Sequence, residues 1–209
     1  MNWIKSKEFL RKNIKTIKAY QAIVIGVSSG GMEAMKTLLP ALPGDFDIPI
    51  VIVQHVSPHS DSQWISILDK SCHLKIKEAD EKEKIEKGHV YFAPPNYHLL
   101  VENDGTFSLT IGERVSYARP SIDVLFESAA IVFRERLIGI ILTGSNHDGS
   151  SGLKNIKECG GLCIVQDPDT AASSFMPSSA IASIKPDFVL ALKDIVDVLI
   201  KIDKLKDFL

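Results

Sequence analysis

A chain of 209 residues in which 45% of the side chains are apolar can bury one sizeable core, which excludes intrinsic disorder as its ground state. Its 24 Lys and Arg against 26 Asp and Glu leave a formal charge of −2, with no overall field to recruit nucleic acid or an anionic membrane surface. Three cysteines, Cys72, Cys159 and Cys163, make neither a disulfide framework nor a C-x-x-C pair, and no run approaches the roughly 20 apolar residues of a membrane span. The expectation is a cytoplasmic protein with no structural metal and no direct membrane insertion.

Residues 1–20 carry Lys5, Lys7, Arg11, Lys12, Lys15 and Lys18 against Glu8, with Trp3, Leu10, Ile14 and Ile17 near one helical face. This predicts a basic amphipathic leader, and residues 21–209 are read as the domain behind it. Residues 22–25 are short, apolar and β-branched, as a strand covered on both faces requires, and residues 32–39 read as a helix. Between them Gly26-Val27-Ser28-Ser29-Gly30 matches G-x-S-x-G, which exposes a serine hydroxyl on a strand-to-helix turn. The same turn also reads as a glycine-rich anion cradle, although neither G-x-G-x-x-G nor the P-loop pattern is satisfied.

Further along, residues 48–53 form a second apolar strand that ends at Gln54-His55. Asp61 or Ser62 is placed to cap a helix that runs through Leu68, and residues 74–79 and 90–93 read as strands. Residues 99–102 and 107–111 flank the turn Asn103-Asp104-Gly105 and predict a hairpin. A helix starts at Ser121, with Asp123 in its first turn, and capping explains both residues. Residues 137–142 make a third apolar strand that leads into Thr143-Gly144-Ser145-Asn146-His147-Asp148-Gly149. Helix 151–159, strand 162–166, a polar loop over 167–177, helix 178–184 and a terminal amphipathic helix over 189–202 complete the chain.

Alternating strands and helices predict an α/β fold: a doubly wound, mostly parallel sheet with helices on both faces and a small antiparallel hairpin. Ligands of such sheets bind beyond the carboxyl ends of the strands, where Ser28, His55 and Asp148 all fall. These supply a hydroxyl, an imidazole and a carboxylate, the parts of a nucleophile, its base and the group that orients the base. The chain order Ser, His, Asp differs from the α/β-hydrolase order. A rival set, Ser28, Asp123 and His147, restores that order but takes its acid from a helix start.

The segments Ile25-Gly26-Val27-Ser28-Ser29-Gly30-Gly31, Gln54-His55, Tyr91-Phe92-Ala93-Pro94 with His98, and Arg119-Pro120-Ser121-Ile122-Asp123 occur in that order. Thr143-Gly144 with Asp148-Gly149, and Gln166-Asp167-Pro168 with Met176-Pro177, follow them. Together they resemble the catalytic domain of the CheB-type chemotaxis protein-glutamate methylesterases. The resemblance implies Ser28 as nucleophile, His55 as general base and Asp148 as orienting acid, with no cofactor. It also implies hydrolysis of γ-glutamyl methyl esters on cytoplasmic helices of methylated chemoreceptors, release of methanol, and deamidation of selected glutamines.

Backbone N–H groups near Ser29 and Gly30 are the expected oxyanion donors, with Ser145 and Met176 as further substrate-binding candidates. His98 is expected to be structural. Two departures from the family stand out. Ser145-Asn146 replaces a usual Met-Gly pair beside Asp148, and the short segment before the opening strand leaves no expectation of a phosphorylatable receiver domain. Those departures keep two other readings open, a catalytically impaired binding module and a serine hydrolase acting on another ester.

Overall fold

The computed structural model describes residues 19–57 and 63–205. All but the last two residues of the expected leader lie outside that range, as do the caps at Asp61 and Ser62.

Strand β1, Ala22–Val27, lies in the middle of a seven-stranded sheet. Every residue in it is buried, because both faces of the strand are covered. On one side β1 pairs in parallel with β2, Ile50–Gln54, and on the other with β7, Leu137–Ile141. The remaining strands are β3 (Lys75–Glu78), β4 (His89–Phe92), β8 (Leu162–Gln166) and β9 (Phe188–Leu190), and the spatial order is β3-β4-β2-β1-β7-β8-β9. All the pairings in this sheet are parallel. A separate antiparallel hairpin joins β5, His98–Val101, to β6, Phe107–Thr110.

Side chains alternate across the sheet, so Ile23, Ile25 and Val27 enter one core while Ala22 and Val24 enter the other. The first core is closed by α1 (Gly31–Leu38), α2 (Gln63–Asp69) and α6 (Leu192–Leu205), through Met35, Leu38, Leu68 and Leu199. The second is closed by α3 (Ile122–Phe133), α4 (Ser150–Glu158), α5 (Phe175–Ser183) and the hairpin, through Phe126, Leu153, Met176 and Phe107. Each fully buried Leu, Ile, Phe or Met contributes roughly 1.5–3 kcal/mol, so the two layers hold the sheet from both sides.

Two elements differ from the sequence reading. Phe188–Leu190 forms an edge strand and the terminal helix starts at Leu192. Three apolar residues in a row fit either period, and pairing of Ile164 with Phe188 through Gln166 with Leu190 selects the strand. Helix α5 begins at Phe175 rather than at 178, with Pro177 in its first turn, where a missing N–H costs nothing.

The chain turns left from β1 to β2 and later returns to the right of β1 as β7, so the strand order reverses between β1 and β7. The crevice at that reversal lies between the loops after these two strands. Helices α3 and α4 cross below the crevice, at Gly152, where an added Cβ would sit 2.5 Å from Phe126 Cβ and 3.1 Å from the Asp123 backbone. Gly152→Ala is therefore expected to lower stability by about 1–3 kcal/mol in urea denaturation by forcing the two helices apart.

Candidate functional site

The loop after β1 carries Ser28, whose N–H donates to the Thr143 carbonyl at 2.9 Å. The loop after β2 carries His55, whose N–H donates to the Val27 carbonyl at 3.0 Å. Gln54, at the end of β2, ties these loops together because its Nε2 donates to both the Ser28 and the His55 carbonyls at 3.0 Å. Gln166 does the same for the far side, accepting from the Thr143 N–H at 2.9 Å and donating to the Thr170 carbonyl at 3.2 Å.

Asp148 follows β7 and is fully buried. A buried carboxylate without partners would be costly, and this one has four donors. His55 Nε2 reaches Oδ2 at 2.8 Å, and the Ile122 N–H reaches the same oxygen at 2.7 Å. Ser121 Oγ and the Asp123 N–H reach Oδ1 at 2.9 Å and 3.1 Å. Burial pushes the Asp148 carboxyl up, but the bonds from His55, Ile122 and Asp123 outweigh it and hold the group below the ordinary aspartate range. The side chain stays ionised, so the imidazole nitrogen beside it carries the hydrogen.

This corrects the reading of Ser121 and Asp123 as simple caps. Ser121 occupies the N-cap position of α3 but makes no capping bond. Asp148 caps that helix from another loop, and Ser121 turns its hydroxyl onto the same carboxylate. Asp123 accepts from the Gly152 N–H at 2.7 Å, which binds α3 to α4. His147 is exposed, and Asp123 is not bonded to it, so the rival set does not assemble. His98 is structural, receiving the Ser121 N–H at Nδ1 and donating from Nε2 to the Glu113 carbonyl.

Ser28, His55 and Asn146 line a cleft of about 350 Å³ together with Arg114, Tyr117 and Arg119. Of the other expected binding residues, Ser29 bonds Ser145 through their hydroxyls at the exposed rim. Gly30 precedes α1 with φ 80°, and the Gly31 N–H is already committed to the Ser28 carbonyl. Met176 is fully buried behind Gly144 instead of opening into the cleft. The sequence reading missed Gln54 as a staple, Ser121 as a donor to the acid, and the Arg114 to Arg119 wall. Asn146 was noticed only as a departure, yet it bonds His55 Nδ1 at 3.2 Å.

A serine hydroxyl beside an imidazole that a buried carboxylate orients, all on the carboxyl edge of an open doubly wound sheet, has the chemistry of a serine-dependent hydrolase. Its chain order sets it apart from the α/β-hydrolases. Residues 23–199 match the family model described as CheB methylesterase, and the chain belongs to that family. A Leptospira interrogans relative, 60% identical over 88% of this chain and 96% of its own length, is provisionally named a protein-glutamate methylesterase/protein-glutamine glutaminase. An Archaeoglobus fulgidus protein of that name is 35% identical over 88% of this chain, which spans 55% of the relative's length. The crystal structure of the Thermotoga maritima CheB methylesterase catalytic domain superposes with a TM-score of 0.84 at 34% identity, covering 88% of this chain and 99% of that one.

Next to the acid, burial pushes the Asp123 carboxyl up from 3.8 to about 6; the Gly152 N–H opposes this and the Asp148 charge reinforces it. The folded chain then holds the Asp123 proton more tightly than the unfolded chain, so this group's contribution to stability falls as pH rises from about 4 toward 6. Asp123→Asn keeps an acceptor for the Gly152 N–H and removes the charge. In denaturant titrations the variant should be about 1 kcal/mol more stable than the native chain above pH 6, after allowance for solvent screening, and no more stable below pH 4.

Proposed function

We propose that this protein hydrolyses γ-methyl esters of glutamate side chains on the cytoplasmic helices of methylated chemoreceptors, releasing methanol in the cytoplasm. The carrying observation is the four-donor Asp148 carboxylate holding His55 at Nε2, in a cleft that Ser28 shares. Ser28 Oγ attacks the ester carbonyl while His55 takes its proton, and His55 then returns that proton to the departing methoxide, which leaves as methanol. Water, deprotonated by the same ring, cleaves the glutamyl-serine intermediate to a free γ-carboxylate and regenerates Ser28. A glutamine side chain enters the same sequence with ammonia as leaving group, which gives the glutaminase reaction.

The reaction itself calls for no metal or organic cofactor, because the ester carbonyl is electrophilic and methoxide leaves once protonated. The N–H groups of Ser29 and Gly30 are assigned to the oxyanion, at the positive end of the α1 dipole. Residues 21–209 are the catalytic unit in this reading.

The cleft wall fits a helix rich in glutamate. Arg114 is exposed and lines it, while Arg119 is held by Asn96 Oδ1 and by the Ile111 and Gly112 carbonyls. Ser116 and Tyr117 form a two-residue turn with φ 50° and 63°, closed by bonds between Val115 and Ala118. Left-handed backbone at two non-glycine residues is costly, and the turn holds Tyr117 at 93% exposure on the rim. An aromatic side chain in that position gives a receptor helix an apolar contact beside the charged ones.

Methanol release from a methylated receptor cytoplasmic fragment tests the reading. Ser28→Ala and His55→Ala should each abolish release to within roughly the 10³–10⁴-fold residual that a site without its nucleophile or base retains. His147→Ala should leave the rate near native, and a severe loss there would instead favour the rival set. If the folded native chain releases no methanol, the proposed activity is wrong. Tyr117→Ala is expected to raise KM for the receptor fragment by about 5- to 30-fold, the cost of losing one interface anchor, with kcat little changed.

A further inference from the structure

The two nitrogens of His55 have different fates. Nε2 donates to Asp148 Oδ2 at 2.8 Å, since an ionised carboxylate can only accept. Nδ1 therefore bears the lone pair and is the one ring atom able to receive a proton from Ser28. That lone pair is already occupied, because Asn146 Nδ2 lies 3.2 Å from Nδ1.

The far end of the amide fixes its orientation. Asn146 Oδ1 accepts from the Asp148 N–H at 3.2 Å. A flipped amide would set donor against donor there and acceptor against acceptor at the ring. Asn146 thus closes a triangle: Asp148 holds the ring through its carboxylate, and the Asp148 N–H holds the residue that covers the opposite nitrogen. Among the described residues Ser28 Oγ makes no hydrogen bond to His55, although Ser28, His55 and Asn146 line one cleft.

The geometry points to Asn146 as a gate on the general base. It is a positioning residue that caps His55 Nδ1 and must give up that lone pair before Ser28 can be deprotonated. The inference rests on the proposed hydrolase mechanism and adds a specificity device to it. Breaking the cap leaves Nδ2 without an acceptor in a half-buried position, so release is favoured when the substrate supplies one. A peptide lying along the cleft brings carbonyl oxygens that can take the amide hydrogen. A small ester occupies only the reacting centre and brings none to spare, so the gate discriminates for a protein substrate.

The test compares kcat/KM of the native chain, Asn146→Ala and Asn146→Asp on p-nitrophenyl acetate and on the methylated receptor fragment, across pH. Asn146→Ala uncaps Nδ1, and the small-ester rate should rise roughly 2- to 10-fold, the worth of one neutral hydrogen bond. The acidic limb of the profile should also move to higher pH, because a donor no longer opposes protonation of the ring. The other charged groups about the ring, Asp148 on Nε2 and Arg114 and Arg119 in the cleft, are the same in both proteins. Asn146→Asp preserves the shape of the side chain, cannot donate when ionised, and should move the limb the same way. Preference for the receptor fragment over the small ester should shrink in both variants.

A small-ester rate that falls with the limb unmoved, in a variant that melts like the native chain, overturns the gate and makes Asn146 a loop support only. A native chain that is folded yet hydrolyses neither substrate overturns the hydrolase reading, and the gate with it. A native chain active on both substrates with unaltered variants overturns the gate alone.

Discussion

Asp148 is the constraint on which the site depends. Its side chain is fully buried, and a buried charge is tolerable only if every lone pair finds a donor. The four donors come from three places in the chain: the imidazole after β2, the Ser121 hydroxyl, and the first two N–H groups of α3. One carboxylate therefore caps a helix, fixes the orientation of the His55 ring and joins loops that are 93 residues apart in sequence. Removing its charge would loosen the α3 start and the His55 ring together.

The fold supplies the rest by geometry. Parallel strands in register end level with one another, with Val27 opposite Gln54 and Gly26 opposite Ile141, so the loops that follow begin at the same height. Close approach is then permitted by glycine. A Cβ at Gly144 would lie 2.7 Å from the Met176 sulfur and 3.0 Å from Ser28 Cβ, so a larger residue there would displace Ser28. Gln54 and Gln166 sit at strand ends and bind loop carbonyls or N–H groups that a strand cannot reach. The crevice is thus stiff where the reacting groups stand and open along the Arg114 to Arg119 wall.

Much of this was legible in the sequence because it follows from strand ends. Ser28, His55 and Asp148 each come just after an apolar β-branched run, and a parallel sheet delivers such positions to one edge. Ser121 was misread because a serine before a helix ordinarily caps it. Only the tertiary approach of Asp148 diverts its hydroxyl, and no local pattern signals that. Asn146 has a partial signal, two residues before an aspartate in a glycine-rich turn, but its bond to a ring 91 positions away has none. Strand β9 was hidden in a helical stretch because three apolar residues carry no period, and pairing with β8 decides their conformation. Met176 was read as a substrate-binding candidate in a polar loop, whereas packing behind Gly144 buries it.

The most direct test is the protonation pattern of His55, read by long-range ¹H–¹⁵N correlation in protein labelled at histidine and assigned with His55→Gln. In the neutral ring the account predicts hydrogen on Nε2, bonded to Asp148, and a bare Nδ1 facing the cleft. A ring protonated at Nδ1 with Nε2 bare would contradict it, because Asp148 would then have no donor from His55 and Ser28 no base in reach.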